Sequence, residues 1–377
     1  DGKDGKDGKD ATNPTPTPAV NTLSIALLNL PKEDTNKALN QISGEIHSSV
    51  KTAMVQAALG YGTAAVDRLR SSYCDPAIAG TAKLASVNGK RYEAGSCVEE
   101  RTVLWGQAYG SWSSFGGGNG AAGLNSRSAG FIMGADTLIG NSGWRIGGLA
   151  AYGHDSFSLN NGRYSNGHSN DVTFGVYGGK EWRHWGFRTG ATYTVNLIGT
   201  NKNVNFANFS DKNGSTSTGG TVTAFGDLGY KFHAGLNVIE PFINGTYVNA
   251  STNRYHENGG DAALSGRGSS MGVTFLTTGF RFNHRVKAGN WTLYPHEMVG
   301  YRHAFGDLNP YNRQTFINNN NGDFGITGAS MFTDAAMANV GLTAKVTDSA
   351  DLTIDYTGGF GSKYMSNGIS AKFRIKF

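Results

Sequence analysis

The sequence predicts an all-β transmembrane barrel of 12 antiparallel strands, closed, preceded by an N-terminal α-helix. Three observations predict it. From residue 102 onward apolar and polar residues alternate with period two. Many alternating segments run to a dozen residues or more, whereas soluble strands average about five or six and a tilted membrane strand needs about 9–11. The connections alternate between tight turns and long polar loops, the arrangement of an outer-membrane barrel.

Composition sets the outer bounds. Of 377 residues 55 are Gly, about one in seven, while charged residues are only 16%, hydrophobic residues 38% and aromatics 11%. Plentiful aromatics and low charge argue against disorder. Gly has no sustained period of three, so the body is not collagen-like. No run of 18 apolar residues occurs, which excludes a helical membrane protein. A net charge of +5, spread along the chain, implies no nucleic-acid partner.

The chain opens with DGKDGKDGKD and then a Pro-Thr stretch through Pro14, Pro16 and Pro18. Residues 1–35 read as an extended linker or the remnant of a longer upstream segment. No apolar core of a signal peptide is present, so Asp1 reads as something other than the native start. Cys74 and Cys97 lack a CxxC spacing and a nearby His pair, which argues against a metal site. In an oxidising compartment they can close a small loop; two unrelated buried thiols is the other reading.

Residues 36–72 stand apart. Leu39, Ile42, Ile46, Val50, Ala53 and Ala57 recur at helical steps of three and four. Asp34 or Thr35 is the expected cap. Gly60 and Gly62 predict a kink near 60–62. The second half is built of small residues and ends in Arg68 and Arg70, which suit a helix C-terminus. A helix this slim fits a narrow enclosure.

Twelve strands follow, at about 102–114, 127–139, 143–157, 168–183, 185–200, 218–233, 236–250, 270–287, 290–306, 329–346, 350–361 and 365–377. The last shows the pattern best: Ile369, Ala371, Phe373, Ile375 and Phe377 alternate with Ser370, Lys372, Arg374 and Lys376. In a membrane barrel the apolar face meets lipid and the charged face the lumen. Tight turns fall at Asn141-Ser142, His184, Ala234-Gly235, Ala288-Gly289 and 347–349. Long loops fall at 115–126, 158–167, 201–217, 251–269 and 307–328. Trp105, Trp144, Trp182, Trp185, Tyr230, Trp291 and Tyr301 are candidates for interfacial girdles.

The chain resembles the C-terminal translocator domain of a monomeric autotransporter, the type V secretion system. Four stretches carry the resemblance: Asn40-Gln41-Ile42-Ser43-Gly44-Glu45-Ile46-His47-Ser48-Ser49, Val66-Asp67-Arg68-Leu69-Arg70, Leu104-Trp105-Gly106-Gln107-Ala108-Tyr109-Gly110 and Phe373-Arg374-Ile375-Lys376-Phe377. Gly134-Ala135-Asp136 also fits. The resemblance implies an upstream passenger exported across the outer membrane, after which the helix at 36–72 plugs the lumen. It implies that residues 73–101 form a periplasmic connection and 102–377 the barrel, with the long loops outside and the C-terminus periplasmic. Cys74 and Cys97 then lie where disulfides form. Phe373, Ile375 and Phe377 resemble the signal read by the barrel-assembly machinery. Implied partners are outer-membrane lipid and lipopolysaccharide, that machinery with periplasmic chaperones, and the chain's own passenger segment. The implied state is a monomer.

The physics of a plug agrees, because 12 strands enclose a pore wider than the eight-stranded barrel that side chains alone fill. Lumen candidates are Arg188, Asp227, Lys231, Lys345, Asp355, Lys372, Arg374 and Lys376. Glu45, His47, Lys51, Gln56, Arg68 and Arg70 are the helix residues placed to meet them. Glycines within strands, such as Gly106, Gly147, Gly179 and Gly190, predict close approach to the helix around Ala57–Ala65. No catalytic residue, cofactor site or metal site is expected. There is no G-x-S-x-G or H-E-x-x-H motif, and the glycine run at 116–120 lacks a following helix. Passenger cleavage inside the barrel is not favoured, since Asn36 and Asn40 are not an Asn-Asn pair. The alternatives are a porin constricted by the 307–328 loop, an adhesin binding through 201–217 and 251–269, and a soluble β-sandwich.

Overall fold

In the computed structural model, residues 21–73, 86–87, 90–91 and 102–376 are described, apart from single residues at 119, 161, 183, 236, 290 and 348. Cys74, Cys97 and Phe377 lie outside the described residues.

Twelve long strands form one closed antiparallel sheet: β1 Val103–Phe115, β2 Leu124–Leu138, β3 Trp144–Leu159, β4 Ser165–Trp182, β5 Trp185–Phe206, β6 Phe209–Tyr230, β7 Asn237–Thr252, β8 Ser269–His284, β9 Trp291–Gly306, β10 Asp334–Lys345, β11 Ala350–Gly361 and β12 Tyr364–Lys376. Each pairs with its sequence neighbours. The ring closes where β12 pairs with β1, from Tyr364 opposite Phe115 to Lys376 opposite Val103. Closure leaves no unpaired edge. It also excludes the sandwich reading.

Alternation sorts the side chains as expected. Phe131, Phe174, Val176, Val222, Val340, Ile354 and Phe373 face outward and are exposed, while Arg188, Thr192, Thr221, Asp227 and Asp355 face inward and are buried. Trp144, Trp182, Trp185 and Trp291 are exposed at the rim of short turns. Trp105 is the exception: it points inward, is buried, and its indole N–H donates to Tyr177 Oη at 2.7 Å.

The loop rim departs from expectation. Residues 201–217 are not a loop, because β5 and β6 run on as a hairpin of 22 residues per strand that turns at Ala207-Asn208. The loops 251–269 and 307–328 carry short strands, 255–256, 264–266, 311–316 and 319–327, which pair into a four-stranded sheet beside the barrel mouth. Strand β10 starts at Asp334, and the segment 328–333 before it folds inward: Ala329, Met331 and Phe332 are buried.

Among the described residues three helices precede the barrel: α1 Thr22–Leu28, α2 Lys32–Ile42 and α3 Ile46–Tyr73. From Thr22 on, then, the expected linker is helical, with Leu23 buried beside Val204, Phe206 and Phe209. Asn21 caps α1 through its side chain, which accepts from the Ser24 N–H. Helix α2 begins after Pro31, so Asp34 and Thr35 fall inside it rather than capping it, and Asp34 sits in the first turn where an acid suits the dipole. The break expected near 60–62 does not occur. It lies at Gly44, whose φ of +63° only glycine adopts freely, and a Cβ there would approach Gln314 Nε2 to 2.9 Å. Helix α3 then runs unbroken for 28 residues, about 42 Å.

Candidate functional site

Helix α3 lies in the lumen, and its hydrogen bonds and ion pairs reach β1, β2, β7, β8 and β12 as well as the loop sheet. Its low amphipathicity follows from this setting. A helix enclosed on all sides has no single solvent face, so small and polar residues surround it.

At the loop rim the contacts form a collar. Glu45 is buried; its Oε1 accepts the Ala122 N–H at 2.7 Å and Oε2 meets Arg163 at 2.9 Å. Burial raises the Glu45 carboxyl above its ordinary range, against the pull of Arg163 and the Ala122 N–H. His47 Nε2 lies 2.8 Å from Glu257 Oε1, and the ring stacks on Tyr255 at 3.6 Å. Lys202 Nζ completes the cluster at 2.7 Å from Glu257 Oε2. Burial alone would raise Glu257, but the hydrogen bond to His47 and the charge of Lys202 outweigh it and hold its carboxyl below the usual range. Lys51 is fully buried and donates to Ser269 Oγ at 2.7 Å.

The middle of the helix is apolar on one side. Tyr61, Ala64, Ala65, Val66 and Leu69 share a buried cluster with Trp105, Ile132, Leu149, Ala151, Tyr177 and Phe225. Tyr61 Oη lies 3.3 Å from Tyr109 Oη. A Cβ added at Gly153 would come within 2.9 Å of Tyr61 Oη, so that glycine is a close approach. The expected glycine cluster around Ala57–Ala65 is not what forms. Gly179 meets Leu69 and Gly219 meets Met54, but Gly106, Gly147 and Gly190 pack on strand atoms. On the other side of the helix a Cβ at Gly60 would meet nothing within 4 Å. Gln56 there contacts Tyr364 Oη and Ser366 Oγ at 3.3 and 3.4 Å.

Near the turn rim the helix is tied by charge to three parts of the ring. Arg68 grips Asp136 of β2 through two parallel bonds of 2.7 Å each, the strong fork geometry of Arg and carboxylate. Asp136 also pairs with Arg145 and accepts from Tyr177 Oη at 2.8 Å. Arg70 reaches Glu240 of β7 at 3.3 Å. Asp67 meets Lys372 of β12 at 3.0 Å, and Arg374 Nη1 donates to the Ser71 carbonyl at 2.9 Å.

The predicted lumen residues fall into these networks. Arg188 touches Glu181, Asp227 and Glu240 within 2.8 Å, and Arg281 braces Asp227 from β8 at 2.6 Å. Lys231 meets Glu181 at 2.6 Å. Asp355 is shared by His296 at 2.7 Å and Lys372 at 3.1 Å. Arg374 pairs with Asp351, which Lys376 reaches at 3.5 Å; Lys345 is half-buried and opposite Asp351 in register. Arg188, Lys231, Arg281, Lys372 and Arg374 each have a carboxylate partner, which makes burial of so much charge tolerable. Sequence reasoning missed Asp136, Glu240, Glu257, Lys202 and Arg163. Asp136 stood within a recognised motif, but nothing local marks it as a partner of Arg68 in a helix 68 residues earlier. Phe373 is exposed on the outer face and Ile375 half-buried there, opposite the inward Lys372 and Arg374.

The family model for the autotransporter beta-domain matches residues 104–357. Two extracellular serine proteases of Serratia marcescens are 26% and 24% identical over 341 residues, 90% of this chain and 31% of each relative. The chain thus spans about a third of the length of those relatives. Among solved structures, the translocator domain of autotransporter NalP from Neisseria meningitidis matches with a TM-score of 0.60 at 11% identity, covering 86% of this chain and 97% of that one. The transport unit of AIDA-I from Escherichia coli matches at 0.54 and 14% identity, covering 80% and 95%. With more than half its length matched by the family model, this chain belongs to the autotransporter beta-domain family.

Proposed function

We propose that this barrel is the outer-membrane translocator for its own N-terminal passenger and that α3 closes the lumen once export is complete. One observation carries the reading: a continuous helix threads a closed ring of 12 strands and emerges at the loop rim, where α1 and α2 lie outside the bore. The apolar outer face supports a membrane setting. The turn rim faces the periplasm and the loop rim the cell exterior. The domain division follows: passenger remnant or linker at 1–35, pore helix at 36–72, a periplasmic connection at 73–101 that carries Cys74 and Cys97, and the barrel at 102–377.

The role of the lumen residues is to hold the helix. Arg68, Arg70 and Asp67 engage Asp136, Glu240 and Lys372, while Glu45 and His47 close the collar. Phe373, Ile375 and Phe377 give the barrel-assembly machinery its terminal signal, and periplasmic chaperones deliver the chain. The barrel does this work as a monomer and without chemistry of its own. Asn40 lies in α2, bonded to Arg163 at 2.6 Å at the loop rim, away from the lumen acids that intrabarrel cleavage would need.

The test is conductance in planar bilayers. The full chain is expected to stay nearly closed, and a chain lacking residues 21–73 to conduct as an open pore. Equal conductance of the two would end the plug reading. A reporter fused upstream of Asp1 should become accessible to added protease on intact cells.

A further inference from the structure

Helix α3 does not fill the lumen evenly. Between it and the wall formed by β7–β12 and β1 lies a cavity of about 220 Å³. It borders helix residues 56–70, about 21 Å of axis. Its lining is mixed: Leu59, Ile132, Phe242 and Met298 stand beside the polar wall residues Gln107, Asn244, Thr277 and Asn339.

The two ends of this cavity differ. Toward the turn rim the side chains of Asp67 and Lys372 are 32% and 23% exposed. Toward the loop rim Phe115, Phe332 and Tyr364 are buried. Phe332 stacks on Tyr364 with centroids 4.0 Å apart, and Phe115 and Phe275 flank the pair at 5.3 and 5.7 Å. Phe332 belongs to the inward-folded segment 328–333, which is fastened to the helix. Ser49 Oγ accepts the Ala329 N–H at 2.9 Å, and Thr52 Oγ1 donates to the Ala329 carbonyl at 2.6 Å.

Charge is uneven as well. Lining the cavity, Arg281 is answered by Asp227, Arg70 by Glu240, and Lys372 by Asp67 and Asp355. Arg302, beside the aromatic end, has no carboxylate partner among the described residues. Its Nε donates to Thr277 Oγ1 at 2.9 Å, and the guanidinium lies 5.9 Å from the Phe275 ring centroid.

We propose that this cavity is a vestibule for small inorganic anions, open at the turn rim, with Arg302 as its anion site and the Phe332–Tyr364 stack as its closed outer gate. An uncompensated cation in a narrow, low-dielectric enclosure concentrates anions. An apolar constriction bars them by excluding water. The inference rests on the plugged-barrel reading and adds to it a second seal, formed by a loop that the helix positions.

Planar-bilayer recording of the full chain in a KCl gradient tests it. Phe332→Ala is expected to open a small conductance that favours chloride over potassium by about tenfold, and Arg302→Gln in that background to bring the ratio near one. A Phe332→Ala chain that stays closed, or conducts without anion preference, overturns the proposal, as does selectivity that survives Arg302→Gln. Should Phe332→Ala fail to fold, the unmutated chain is read by chloride-35 NMR. Excess line broadening, removed by sulfate and absent in Arg302→Gln, is expected; no excess broadening overturns the anion site. The chain lacking residues 21–73 separates the two ideas. If it and the full chain conduct alike, the plug reading itself fails. If it opens while Phe332→Ala stays closed, only the gate fails.

Discussion

The two walls of the lumen hold the same helix by different means. The β2–β6 wall meets α3 with an apolar cluster and the buried Arg68–Asp136 fork. The opposite wall, β7–β12, packs apolar side chains such as Val248, Met271, Val273 and Met337 against the first half of the helix, meets its last turn through ion pairs, and leaves a cavity along the stretch between. The difference teaches that lumen packing need not be symmetric to close a pore. One wall packs the second half of the helix closely, while the other packs its first half and leaves the second half partly unfilled.

The largest break in that comparison is Asp136→Ala. It removes the carboxylate that Arg68 and Arg145 share in the lumen, and about 3–5 kcal/mol of stability should go, read from denaturant unfolding followed by tryptophan fluorescence. Glu257→Gln, which unpairs His47 and Lys202 above both walls, should cost a similar amount at neutral pH. Its pH dependence has a definite sign. The Glu257 carboxyl is held below its ordinary range when folded, so its contribution is complete above that range and is lost as pH falls from there through the lower folded value. Unfolding midpoints of the native chain and Glu257→Gln should therefore converge on acidification; a constant gap would refute the linkage.

Smaller changes sharpen the contrast between walls. Ala65→Leu, on the packed side, should destabilise by about 1–3 kcal/mol through overpacking. Gly60→Ala, facing the cavity, should stabilise by about 1 kcal/mol, because the helix gains propensity and the new methyl meets nothing. Equal effects at both positions would mean the helix is packed alike all round. Asp67→Ala should matter least, about 0–1 kcal/mol, since both it and Lys372 are partly solvated.

Much of this was legible in the sequence because a barrel strand has only two faces. Ile369 and Phe373 against Lys372 and Arg374 declare lipid and lumen without any knowledge of neighbours. The same logic failed at 201–217. There Lys202, Val204 and Phe206 point inward and Asn201, Asn203 and Asn205 outward, a regular strand whose outer face is polar. A reading that requires an apolar outer face takes such a strand for a loop. The helix cations were legible as lumen-facing, but their partners were not. Which carboxylate meets Arg68 is set by helix depth and the register of the whole ring, quantities that no local window contains. The helix break was misplaced for a related reason. Gly60 and Gly62 weaken an isolated helix, yet the enclosing wall keeps theirs intact, whereas the loop sheet crowds Gly44 and selects its positive φ.

The seam between β12 and β1 runs the full length of both strands, from Tyr364 opposite Phe115 to Lys376 opposite Val103. A rod threaded through a hoop without a clasp can leave only along its axis. For α3 that route means breaking the collar at one end and three ion-pair anchors at the other. How long the pore stays shut then depends on how fast that route is taken as well as on how tightly the walls hold the helix. A chain in which the helix binds its walls only weakly, but the seam stays closed, would still remain shut for as long as that single route is slow.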